Sequence, residues 1–142
     1  MYIISSCLAG ISCRYDGKSS ENQYVIELVK QGNAMPVCPE LLGGLPVPRT
    51  CCEIIRNESG EQRVVSSEGQ DFTREFAAGA EKTLEIARII GATKAILKSK
   101  SPSCGCGLIY DGTFSGRLIE GNGLTAELLM KNGIEVINES DL

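Results

Sequence analysis

Short apolar segments alternate along this chain with amphipathic ones, and that alternation restricts it to an α/β fold with a largely parallel sheet. "YIISSC" (2–7) reads as a buried strand that ends in a cysteine. "SSENQYVIELVKQG" (19–32) puts Val25, Leu28 and Val29 on one helical face, with Gly32 as its C-cap. "AMPVCPE" (34–40) is a second strand, which Pro39 terminates. "CEIIRN" and "QRVVSS" flank the turn "ESGE" and form a small hairpin. The clearest helix is 72–91: Asp71 caps it, Phe72, Phe76, Ala80, Leu84 and Ala87 share a face, and Gly91 stops it. "KAILKSK" is then a strand, "GLTAELLMKNG" a helix and "IEVIN" a last strand. Without repeats or low-complexity tracts, residues 1–142 are expected to form a single three-layer domain.

Composition removes several function classes. There is no histidine, which excludes Ser-His and Cys-His nucleophile pairs, His-ligated zinc and imidazole general bases. A net charge of −4, no tryptophan and 5% aromatics argue against a dedicated nucleic-acid surface. The N-terminus lacks the basic and apolar regions of a secretory signal, and no apolar run approaches the roughly 20 residues that cross a bilayer. The chain reads as a soluble cytoplasmic protein with no membrane partner. Its seven cysteines then stay reduced, available as metal ligands or reactive groups.

Three of those cysteines fall where strands end. Cys7 follows "YIIS", Cys38 follows "AMPV", and Cys104 comes shortly after "KAILKS". In a parallel sheet the loops beyond the carboxyl ends form the ligand crevice. Neighbouring strands are about 4.8 Å apart, so such loops converge. Three thiolates on one rim suit an iron–sulfur cluster with one iron left open, or a thiolate zinc site. Buried cysteines acting as small hydrophobes are the plain alternative.

Other segments carry weaker signals. The glycines of "SPSCGCG" let the backbone approach a bulky cofactor, and its amides can donate to sulfide. It is equally a Gly-rich turn with incidental cysteines. Glu40, two residues beyond Cys38, is a candidate general base or an ordinary surface carboxylate. Arg14, Tyr15 and Asp16 offer hydrogen bonds to a small polar ligand, although "CRYDGKS" alone reads as an Asp-Gly turn. "YDGTFSG" (110–116) is another turn-rich loop. Cys51 and Cys52 are adjacent, so in a strand they face opposite ways. Cys13 and Cys106 lie near the three candidate ligands in the sequence and are possible substitutes for them.

Four ordered motifs resemble one family nearly from end to end. "SSCLAG-x-x-CRYDG", "VCPELLGGLPVPR", "AILKSKSPSCG" and "IYDGTFSG" are similar to the bacterial domain-of-unknown-function family that includes the iron–sulfur thiouracil desulfidases. The resemblance implies a [4Fe-4S] cluster on Cys7, Cys38 and Cys104. It implies non-redox desulfuration of a small thiolated pyrimidine, with water placed by Ser101 (Ser103 second) and Glu40 (Glu53 second). Arg14, Tyr15, Asp16 and Ser103 are then the candidate substrate contacts. The extra thiols Cys13, Cys51, Cys52 and Cys106 depart from the pattern, and "RTCCEI" stands where a Pro-rich stretch is usual. Two rival expectations are a non-catalytic thiolate metal protein and a redox protein using Cys104 and Cys106.

Overall fold

The computed structural model describes all 142 residues. Its centre is a four-stranded, all-parallel sheet of β1 (Tyr2–Ser5), β2 (Ala34–Val37), β5 (Lys94–Leu97) and β8 (Glu135–Asn138), in the order β2-β1-β5-β8. The intervening strands form two antiparallel hairpins, β3 (Cys52–Arg56) with β4 (Gln62–Ser66) and β6 (Leu108–Tyr110) with β7 (Leu118–Glu120). The helices are α1 (Gln23–Lys30), the single turn α2 (Pro39–Leu42), α3 (Thr73–Ile90) and α4 (Leu124–Lys131).

Strand alternation explains the three layers. Ile3, Ala95, Leu97 and Val136 project to one face and pack on Leu84 and Ala87 of α3 and Ala126 and Leu129 of α4. Ile4 and Ile96 project to the other and meet Val25 and Leu28 of α1. With both faces covered, the strands are continuously apolar, which is why "YII" and "AIL" read as buried runs. A third cluster of Leu45, Ile54, Val64, Phe76 and Ile109 seats the two hairpins on the start of α3.

Element ends shift slightly from the sequence reading. The long helix begins at Thr73 with Phe72 in the N-cap position; Asp71 nonetheless caps, its Oδ1 accepting from the Thr73 amide at 2.8 Å. Asp71 also bridges Val65, which holds it outside the helix. Gly91 closes α3 in the left-handed conformation, as expected. Helix α1 ends at Lys30 with Gln31, not Gly32, as its C-cap, and left-handed Gly32 follows one residue beyond. Pro39 not only stops β2 but opens α2, where its missing N–H costs nothing. The turn-rich 110–116 segment is the connection of the second hairpin, with Tyr110 closing β6.

Helix α2 touches α3 backbone to backbone. A Cβ on Gly79 would lie 1.9 Å from the Pro39 carbonyl oxygen, and one on Gly43 2.0 Å from that of Glu75. Two backbones cannot yield as a flexible side chain would. Gly79→Ala gains about 1 kcal/mol of helix propensity, but the clash costs about 3 kcal/mol. A net loss of about 2 kcal/mol in urea unfolding is therefore expected. An unchanged midpoint would show that the two helices can slide apart freely.

Candidate metal centre and active site

The chain switches direction across the sheet between β1 and β5: β1 leads outward to β2, and the next parallel strand, β5, pairs on the other side of β1. At such a point the two departing connections leave a crevice beyond the strand ends. Here it is a cavity of about 600 Å³. Cys7, Cys38 and Cys104 all line it, together with Glu40, Ser101, Arg14 and Tyr15.

Each thiol is placed by local structure. Ser5 ends β1, and the chain turns at once into a 3-10 turn, Ser6–Ala9, that carries Cys7. Cys38 is held extended by the proline after it, at the entry to α2. Cys104 is set by the turn that begins at Ser101, whose Oγ accepts from the amides of Ser103 (3.0 Å) and Cys104 (2.8 Å). Ser5 Oγ donates to Cys104 Sγ at 3.3 Å and accepts from the Lys98 amide, tying the ends of β1 and β5 to this thiol. From β8, the Asn138 amide group donates to the Leu97 and Cys104 carbonyls, while its oxygen accepts from the Cys106 amide at 2.8 Å. In the sequence Ser5 and Asn138 read only as strand residues; the signal for their role is a polar side chain closing an otherwise apolar buried strand.

Glu40 is fixed by an ion pair with Arg49, whose guanidinium is only 7% exposed. Arg49 also donates to the carbonyls of Cys13 (3.0 Å) and Pro46 (3.2 Å). It takes Glu40 Oε2, leaving Oε1 without a protein donor among the hydrogen bonds seen. Glu53, the second candidate, also lines the cavity, but its Oε1 is engaged by the amides of Gly112 and Phe114.

Two expected contacts are not brought together with the rest. The Ser103 side chain is 1% exposed, outside the cavity lining, and bonded to Thr125 Oγ1 at 2.8 Å; it anchors the cysteine loop to α4. Asp16 closes its own turn by accepting from the Lys18 amide and does not line the cavity either. Among the extra thiols, Cys13, Cys51 and Cys52 line the cavity, whereas Cys106 is outside its lining and donates to the Val136 carbonyl.

All seven cysteines are free thiols. Burial pushes Cys104 up to about 12, only partly countered by the Ser5 hydroxyl. Cys13 stands at about 11: its bond with Cys38 favours the thiolate, but contact with Cys7 and burial outweigh it. Contact with Cys13 and burial also drive Cys38 upward. At neutral pH these thiols carry protons that a bound metal must displace.

No three Cys, Asp or Glu side chains are arranged to hold a single metal ion, whose tetrahedral thiolates would stand about 3.8 Å apart. A four-iron cluster interposes its own irons and sulfides and needs thiolates set more widely around a roomy cavity. Three thiols from three separate segments around such a cavity fit that group.

Residues 2–141 match the 2-thiouracil desulfurase family. The chain belongs to that family. It is 46% identical over 147 aligned positions to the uncharacterized protein YbbK of Bacillus subtilis (strain 168), spanning all of this chain and 97% of YbbK. It is also similar to the solved structure of TudS, a [4Fe-4S]-dependent thiouracil desulfidase. The TM-score is 0.89 at 42% identity, over 99% of this chain and 91% of that one. The 2-thiouracil desulfurase fold is thus the three-layer architecture described above. No helix is long and apolar enough to cross a membrane.

Proposed function

We propose that this chain hydrolyses the C=S bond of a thiolated pyrimidine base or nucleoside, such as thiouracil, to C=O without net electron transfer. Cys7, Cys38 and Cys104 hold a [4Fe-4S] cluster in this reading. The observation that carries it is a single cavity lined by these three thiols, by Ser101 and by Glu40 in its ion pair with Arg49. When bound, the cluster supplies a Lewis-acidic iron, free of protein ligand, that takes the sulfur. The reaction balances as C=S plus water giving C=O plus hydrogen sulfide, so no electron donor is needed.

The chain's own groups handle the water. Glu40 Oε1 accepts its proton while Arg49 holds the other carboxylate oxygen still. Ser101 Oγ already accepts from two amides, so its remaining capacity is to donate its own proton into the cavity. Arg14 and Tyr15, also on the lining, are the polar contacts available to the pyrimidine. An oxygen-sensitive open cluster suits the reducing cytoplasm, where we place the protein. Anaerobically reconstituted protein should release uracil and sulfide in equal amounts from 4-thiouracil with no reductant. A colourless zinc protein, or full cluster without turnover, would defeat the proposal.

A further inference from the structure

Thirteen residues adopt positive φ, and eleven of them are glycines. The two exceptions, Lys100 and Phe114, both line the cavity. Phe114 sits at φ 57, a conformation in which a Cβ is strained and glycine would be free. The residue is 36% exposed beside the cavity rather than buried in the core, so ordinary packing does not account for it.

The segment around it is held on both sides. At its outer edge Asp111 Oδ1 accepts from the amide and hydroxyl of Thr113, which in turn bonds Ser115. At its inner edge Glu53 reaches across from β3. Its Oε1 accepts from the amides of Gly112 (2.9 Å) and Phe114 (3.1 Å). Gly112 is needed there: a Cβ would lie 2.7 Å from the Ile54 carbonyl oxygen, and its φ is 92. Glu53 is buried, 8% exposed, and spends this oxygen on backbone donors, and charge-assisted bonds of this kind can hold a strained segment in place.

Resting on the desulfidase reading above, we propose that Phe114 is the aromatic platform on which the pyrimidine ring stacks, and that Glu53 is its positioning residue. The N–H and C=O groups of a thiolated base lie in the plane of its ring, where polar side chains such as Arg14 and Tyr15 can meet them; the apolar ring face is left for an aromatic side chain to cover, and stacking fixes the ring plane. Glu53 then acts through the backbone of 112–114 and handles no proton.

The test uses the cluster-loaded enzyme, assayed on 4-thiouracil, together with calorimetric binding of uracil and of the non-planar 5,6-dihydrouracil. Stacking on an aromatic side chain amounts to about tenfold or more per base. Phe114→Leu should therefore raise KM and weaken uracil binding by about tenfold, with kcat little changed, and erase the preference for uracil over dihydrouracil. Phe114→Gly should weaken binding likewise while melting no lower than the parent, because it relieves the strained backbone. Glu53→Gln keeps an acceptor for both amides and should retain the parent KM, whereas Glu53→Ala should mimic Phe114→Leu. Unchanged KM and uracil binding in folded Phe114→Leu would overturn the platform. A loss of kcat at constant KM in Glu53→Gln would make Glu53 a proton-handling group instead. A fully loaded parent that turns over no thiolated pyrimidine would remove the desulfidase reading and this inference with it.

Discussion

Cys104→Ser should yield folded protein that takes up no stable iron–sulfur cluster and shows no desulfidation. In the proposed ligand set, Cys104 is the member that no neighbour can replace. Cys106, two residues on, lies outside the cavity lining and bonds the Val136 carbonyl, and the loop between them is pinned by Asn138. Cys7→Ser and Cys38→Ser should lose the cluster too, with one difference. The Cys13 thiol is within hydrogen-bonding reach of both, so it is the neighbour that could restore a third ligand. Residual iron in either single variant should therefore vanish on adding Cys13→Ser. Cys106→Ser, Cys51→Ser and Cys52→Ser should keep iron and acid-labile sulfide near the parent content. The measurement is iron and sulfide per chain after anaerobic reconstitution, with folding checked by thermal melting. Equal loss of iron in the Cys51 and Cys52 variants would redraw the ligand set.

Glu40→Gln should keep the full cluster and lose hydrolysis of 4-thiouracil by on the order of 10²–10⁴ in kcat, or about 3 to 5 kcal/mol of barrier. Glutamine can still accept from Arg49 through its carbonyl oxygen, so the geometry survives while the base is gone. Ser101→Ala should show a loss of similar kind. Its Oγ also accepts from the Ser103 and Cys104 amides, so the alanine variant is informative only with iron and sulfide verified as full. Ser101→Thr, which keeps the hydroxyl, should recover much of the rate. Parent-like turnover in both Glu40→Gln and Ser101→Ala would mean that neither group touches the attacking water.

Glu139 shows how far the support of this site extends. It accepts from the Ser99 amide, from the Ser99 hydroxyl and from Lys98 Nζ at 3.0 Å. Burial alone would raise its carboxyl pKa, but the Ser99 and Lys98 bonds outweigh it and hold it below the ordinary value. The segment that leads to Ser101 is thus fastened to the end of β8.

What the sequence determined by itself was the content of the elements and three candidate thiols at strand ends. Short continuous apolar runs such as "YII" and "AIL", and the 3.6-period face of Phe76, Ala80, Leu84 and Ala87, are local patterns that need no partner to be read. The four ordered motifs pointed to the family that residues 2–141 match, and Cys7, Cys38 and Cys104 stood out because they follow strands. Only the tertiary structure decided which polar groups share the cavity. Ser101 and Ser103 are two apart in one motif, yet one lines the cavity and the other is buried against Thr125. Glu40 and Glu53 are both carboxylates near cysteines, yet one is ion-paired at the cavity while the other bonds the backbone of a hairpin some sixty positions away. Orientation of that kind depends on partners distant in sequence: Arg49 for Glu40, Thr125 for Ser103, Asn138 for the cysteine loop. A side chain's chemistry is fixed by its type, but its direction is fixed by whichever distant donor or acceptor satisfies it when it is taken out of water.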